Sequence, residues 1–316
     1  LYGALYGFST APNKTQETTP SKKFFVLGNG MKVYLEQSRK LPLVHMSFAV
    51  NVGSRNDTPS SSGISHLLEH LILLGSTKQL SGKDIIENQL KRYGFYFNAH
   101  TLPDVTTLEL SAHRSFWKEG LALLETKLFH LAFTDEELKR EKEVIDKELK
   151  TVLDKPEQYG LQQMFKKIFH NHPYQLPVGG EPEIIRDLTK EQLMAHYKTY
   201  FSADNCALAI VGDFELDPVE AAIRSRFENY SAAKSNLPKI SEAPPIQTKT
   251  EFNHQMDIKQ SHLFIAYSAP SKYSDERNRV SIDVLSQILS RGISPLLYYS
   301  INAKRRLVHR IRMIYN

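Results

Sequence analysis

The stretch Gly63-Ile64-Ser65-His66-Leu67-Leu68-Glu69-His70-Leu71-Ile72-Leu73-Leu74-Gly75 decides how the rest of this 316-residue chain is read. Read as a helix, it places His66 and His70 four residues apart on one face, with Glu69 beside them and apolar residues at most other positions. Two imidazoles one turn apart can both reach a metal ion, and a carboxylate on the same turn can take a proton from a water held there. The order H-x-x-E-H is the inversion of the commoner H-E-x-x-H pattern. The alternative is a pair of hydrogen-bonded core histidines, so the surrounding sequence has to decide.

Working outward toward the N-terminus, Gly53 to Ser62 is rich in Ser, Asp, Pro and Gly and reads as a loop feeding the histidine helix. Before it, Val44, Met46, Phe48, Val50 and Val52 alternate with more polar or smaller residues, the period of a half-buried strand. Lys23–Leu27 and Met31–Leu35 flank Asn29-Gly30 and predict a β-hairpin. Residues 1–22 are expected to be a flexible arm, or what is left after a signal or transit segment is removed.

On the C-terminal side, Ser81 to Tyr93 predicts a second helix capped by Ser81. Phe95–Thr101 and Thr106–Ser111 predict two strands around Pro103-Asp104, with Asn98 to Thr101 near a sheet edge. Ser115–Phe129 is a helix carrying Trp117, the only tryptophan. Thr134 followed by Glu137 is a capping box opening a long charged helix to about Val152. On that helix Glu141, Val144, Ile145 and Glu148 are expected on one apolar face, where a buried carboxylate would need a partner. Pro218–Phe227 reads as a helix closing the first domain.

Hydrophobic residues make up 41% and charged residues 24%, the balance of a soluble globular protein, and no apolar run is long enough to span a membrane. A formal charge of +5, from 40 basic and 35 acidic residues mostly interspersed, is weak evidence for a nucleic-acid partner, and none is expected. The basic group Lys304-Arg305-Arg306 with Arg310 and Arg312 reads as a solvated or interface strand edge. The single cysteine, Cys206, excludes an intrachain disulfide and reads as a buried inert thiol. His170 and His172 fit a turn before Pro173. Compartment is open, with periplasm or cell envelope, or an organelle matrix, favoured.

Taken together, Val52-Gly53-Ser54-Arg55, His66-Leu67-Leu68-Glu69-His70, Gly75-Ser76, Phe97-Asn98-Ala99-x-Thr101-x-x-Asp104-x-Thr106 and Glu141-x-x-Val144-Ile145-x-x-Glu148 resemble the pitrilysin family of zinc metallopeptidases, the inverzincins. That family includes insulin-degrading enzyme and the mitochondrial processing peptidase. Further matches are His172-Pro173 with Gly179, Leu188-Thr189, Tyr200-Phe201, Asn205 and Val211-Gly212-Asp213, so the likeness runs from about Lys23 to Phe227.

The resemblance implies one Zn2+ per chain held by His66, His70 and Glu148, with a fourth position open, as catalysis requires. It makes Glu69 the general base and Glu141 a second glutamate that supports the site, with Glu143 the competing ligand on the same helix. Asn98, Ala99 and Thr101 resemble the family's substrate strand, to which an extended peptide adds by main-chain bonds. The plainer reading is that Asn98 and Thr101 merely finish a strand.

The fold class implied is α+β: two similar domains, each a mostly antiparallel sheet packed with helices, the second incomplete in this chain. The expected division is an arm at 1–22, a zinc-binding peptidase domain at 23–230, a linker at 231–250 and the start of a second domain at 251–316. In the last part a strand at Gln260–Tyr267, helices at Asp275–Leu289 and Pro295–Ala303, and a strand-like Leu307–Tyr315 are expected. Family members often carry an Arg and a Tyr seven residues apart facing the zinc; here Asn302 and His309 stand there, and neither is an adequate substitute. The functional expectation is a zinc endopeptidase acting on extended or unfolded peptides. A homo- or hetero-oligomeric partner, or a second half, would supply the Arg/Tyr pair. The rival is a catalytically inactive peptide-binding or structural subunit of the same fold.

Overall fold

The computed structural model describes residues 21–80, 89–232, 237, 243, 245–246, 250–270, 275–291 and 295–313. It divides into two compact units, residues 1–243 and 244–316. Residues 1–20 of the arm expected at 1–22, the Ser81 cap and most of the 231–250 linker lie outside the described residues, and Lys22 already belongs to the first strand; 89–93 is helical, as expected of the end of that second helix.

The first unit is built on a six-stranded mixed sheet. β1 (Lys22–Val26) and β2 (Lys32–Gln37) form the hairpin, pairing Phe24 with Tyr34 across the turn at Gly30. β3 (Leu43–Val50) pairs antiparallel with β5 (Thr106–His113), and β5 with β4 (Tyr96–Thr101). β6 (Cys206–Gly212) enters between β2 and β3, parallel to the first and antiparallel to the second. The order is therefore β1-β2-β6-β3-β5-β4, with β4 at one edge.

Alternation along β3 sends Val44, Met46, Phe48 and Val50 into the core, where Leu108, Leu110, Leu208 and Ile210 meet them. Helices cover this face: α1 (Ile64–Leu74), which contacts β4, α2 (Trp117–Phe129) across β3 and β5, and α3 (Asp135–Leu153) against α1. The α2 backbone comes close to the sheet at Gly120, where a Cβ would sit 2.7 Å from Leu110 Cδ2. The predicted capping box of α3 is present, Thr134 Oγ1 accepting from Glu137 N (3.1 Å) and Glu137 Oε2 accepting from Thr134 N (2.9 Å).

α1 begins at Gly63, whose φ of +90° is a left-handed conformation natural only to glycine. A Cβ there would lie 2.8 Å from the Cα of Gly180, so the start of the histidine helix and the 177–180 turn touch backbone to backbone.

Two expectations need correcting. Val144 and Glu148 do not share the buried face of α3; both are exposed, and that face runs through Leu138, Glu141, Ile145 and Leu149. At 100° per residue Val144 falls on the flank of the stripe, outside the width the neighbouring helices cover.

The second unit holds a helix, α4 (Glu276–Ser290, capped by Asp275), and a π-helical turn at Tyr298–Ala303. Neither expected strand forms there: residues 261–270 and 307–313 carry no strand, and Leu263 and Tyr267 are 84% and 85% exposed. Alternating apolar residues make a strand only where a second strand takes up the backbone N–H and C=O groups, and among the described residues no strand pairs with either stretch; the Leu307 N–H instead meets the Ile301 carbonyl (3.2 Å).

Candidate metal centre

α1 presents His66 and His70 on its first two turns, with their rings 4.8 Å apart and nearly perpendicular. α3 crosses behind it and delivers two glutamates. Glu141, almost fully buried, lies 3.4 Å from His70 Nδ1 through Oε2; Glu148, half exposed, lies 3.6 Å from His70 Nε2. His66, His70 and Glu148 each offer a ligand atom, all within 4.8 Å of one another. Glu143, the rival ligand, is exposed and stands outside this group.

The electrostatics favour positive charge at His70 and a neutral ring at His66. Burial opposes charge on His70, yet the carboxylates Glu141, Glu69 and Glu148 around it outweigh burial and raise its pKa above the ordinary value. His66, desolvated and next to His70, is pushed down to about 4 and is neutral at pH 7, the state in which imidazole donates a lone pair. Its Nδ1 is buried and makes no well-formed hydrogen bond among the described residues, although the Gly179 backbone acts on the ring. Two imidazoles and one carboxylate form a donor set suited to zinc, whose tetrahedral ligand atoms stand about 3.3 Å apart. The His70–Glu148 separation matches that spacing; the widest gap in the group, 4.8 Å, exceeds it, so the three donors converge without closing. The residues fit the metal that the motif implies.

Glu69 is buried on α1 and points toward Thr101 on the edge strand. Burial holds its carboxyl above the usual range, opposed by Thr101 and by the His70 and His100 rings. A carboxylate raised in this way is better matched to accept a proton near neutral pH. Ala99 and Thr101 face inward on β4, while Asn98 faces outward, its amide 3.3 Å from both Tyr96 Oη and His100 Nε2. The structure thus brings His66, Glu69, His70, Glu141, Glu148 and Thr101 to one end of β4.

Sequence reasoning passed over three groups that hold this arrangement. Asp57 accepts from Gly63 N (2.9 Å) and Ser65 Oγ (2.6 Å), and His196 Nε2 lies 3.1 Å from the same hydroxyl. Lys127, fully buried on α2, donates to the Gly75 carbonyl (2.7 Å). A buried acid in a loop and a lysine on an amphipathic helix carry no local signal of such a role. Cys206 is buried and its thiol pKa is pushed up by burial, in keeping with an inert role.

No helix among the described residues is long and apolar enough to cross a membrane. Comparison with known proteins gives a consistent picture. The family model Insulinase (Peptidase family M16) matches residues 32–181, and the model Peptidase M16 inactive domain matches residues 187–314. A Bacillus subtilis protein named uncharacterized zinc protease YmxG is 25% identical over 92% of this chain and 69% of its own length. Zinc protease PqqE of Helicobacter pylori is 26% identical over 92% of this chain and 66% of its own length. The chain thus spans about two thirds of these relatives. Among solved structures, a protease from Helicobacter pylori shares the fold with a TM-score of 0.76 at 21% identity, over 91% of this chain and 69% of that one. With both models drawn from one family and together covering nearly the whole sequence, the chain belongs to the M16, insulinase-like family of peptidases.

Proposed function

We propose that this chain is the zinc-bearing part of a metalloendopeptidase that hydrolyses extended or unfolded peptides. The observation that carries the reading is the convergence of His66, His70 and Glu148 with buried Glu69 alongside and β4 at the sheet edge, unpaired on its outer side among the described residues. In this reading His66, His70 and Glu148 hold one Zn2+. Bound zinc supplies Lewis acidity, polarising the scissile carbonyl and making water more acidic. Glu69 takes the proton of the attacking water and returns it to the leaving amine. Glu141 bonds His70 Nδ1, which fixes the ring and leaves Nε2 for the metal. Asn98, Ala99 and Thr101 lie on the strand to which the peptide adds, antiparallel or parallel, through backbone bonds that ignore sequence.

The proposed division is a peptidase domain at 23–230 and a second domain beginning near 251, joined by a linker. A partner domain or subunit completes the substrate chamber, because Asn302 and His309 occupy the positions where a cation and a phenol would be needed. A periplasmic, cell-envelope or organelle-matrix location belongs to the same reading.

Zinc content of the purified chain, beside His70→Ala and Glu148→Ala, tests it. About one zinc per chain, lost in both variants, is expected. Hydrolysis of an unfolded peptide is expected only with the partner present; full activity of the chain alone would refute the partner requirement. The second reading, an inactive peptide-binding subunit, is favoured by Asn302 and His309 and by the match of residues 187–314 to a domain described as inactive. Zinc binding with no hydrolysis under any pairing would select it.

A further inference from the structure

Two buried ionisable side chains, Asp57 and Lys127, have no role in the reaction proposed above; among the described residues neither makes a close salt bridge, although the Glu137 carboxylate acts on Lys127 from a distance. Burying a carboxylate or an ammonium without a counter-ion is costly unless polar groups replace water. Both find those groups on one element. Asp57 takes the free N–H of Gly63 at the start of α1 and the hydroxyl of Ser65 one residue before His66. Lys127 donates to the carbonyl of Gly75, where α1 ends.

The arrangement follows from the glycines. An ordinary helix start is capped by its own Ser, Thr, Asp or Asn. Position 63 cannot carry one, since a Cβ would run into the backbone of Gly180. The cap therefore comes from six residues upstream. At the other end a Cβ on Gly75 would lie 2.5 Å from Leu71 O, and the orphan carbonyl is met by a lysine from α2 instead. His66 and His70 lie between these anchors on a helix of only 11 residues, so a shift of either end moves both rings.

We infer that Asp57 and Lys127 are positioning residues for the metal centre, clamping the two ends of α1 so that His66 and His70 stay aimed at Glu148. This rests on the zinc reading. Neither residue touches the ligand atoms, and each acts through the helix backbone.

The experiment is zinc affinity of the full chain by competition with a chromophoric chelator, for wild type, Asp57→Ala, Asp57→Asn and Lys127→Met, with the apo melting temperature measured in parallel. Asp57→Ala and Lys127→Met are expected to bind zinc about 10-fold more weakly, the lower end of what removing a group that orients metal ligands costs. Asp57→Asn keeps an oxygen acceptor for Gly63 N and is expected to recover most of the affinity. Should Asp57→Ala fail to fold, Lys127→Met decides, and wild-type zinc affinity in that variant overturns the inference. Apo melting temperatures that fall while zinc affinity stays at the wild-type value would overturn the inference, leaving the clamp structural only. Wild type that binds no zinc would overturn the underlying reading instead, a separate result.

Discussion

Replacing Gly63 by alanine should destabilise the first unit by about 3 kcal/mol, and the magnitude can be worked from the contact it disturbs. A left-handed backbone costs a non-glycine residue about 1–2 kcal/mol. The added Cβ would also lie 2.8 Å from Gly180 Cα and 3.0 Å from Gly179 O, and only the third neighbour, Ile185 Cδ1 at 3.0 Å, is a side chain able to yield. Forcing an extra methyl group into such a place costs about 1–3 kcal/mol. The assay is urea unfolding followed by the fluorescence of Trp117, which reports on the first unit alone because no other tryptophan exists. The midpoint should fall with an unchanged slope. Gly180→Ala, with φ +83° and a Cβ 2.5 Å from Gly63 Cα, should behave alike, and the double variant should lose less than the sum because both remove one contact. A loss below about 1 kcal/mol for Gly63→Ala would refute the claim that these backbones abut.

Other outcomes follow from the same geometry. Glu69→Gln should keep zinc, measured by metal analysis, and lower the rate of peptide hydrolysis by about 10²–10⁴-fold; loss of the metal would show that Glu69 is a ligand rather than a base. His196, desolvated to a pKa of about 4 from 6.5, binds its proton more readily in the unfolded chain, so its contribution makes stability rise with pH between about 4 and 6.5. Relative to His196→Gln, wild type should lose up to about 3 kcal/mol on going from pH 6.5 to 4, checked by urea unfolding at both; an equal pH dependence in the two would exclude His196 as a source. Cys206 should be unreactive toward a thiol reagent in native protein and react once in denaturant, because burial holds the thiol protonated. Fast native modification would contradict its placement in the core strand.

The elements that could be read from the sequence are those whose cause is local. The β1–β2 hairpin follows from Asn29-Gly30 between apolar runs, the α3 start from Thr134 and Glu137, and the inward face of β3 from strict alternation. His66 and His70 belong to this class as well, because a spacing of four on a helix decides their shared face without reference to anything else. Local patterns failed where the neighbour was missing or misplaced. Val144 satisfied the helical period yet lies outside the covered stripe, and Leu263, Ile265 and Tyr267 alternate with no strand to pair with among the described residues.

What only tertiary structure decided is how distant segments meet. Nothing near Lys32–Gln37 announces that Cys206–Gly212 will lie parallel beside it, and nothing near His70 specifies that Glu148, rather than Glu143, comes within 3.6 Å of its Nε2. Asp57 and Lys127 are legible only once α1 has ends for them to hold. The physical reason is range: hydrogen-bonding propensity and side-chain period act over a few residues. Which groups then share a buried space is settled by packing many segments at once, against the entropy of closing the loops between them.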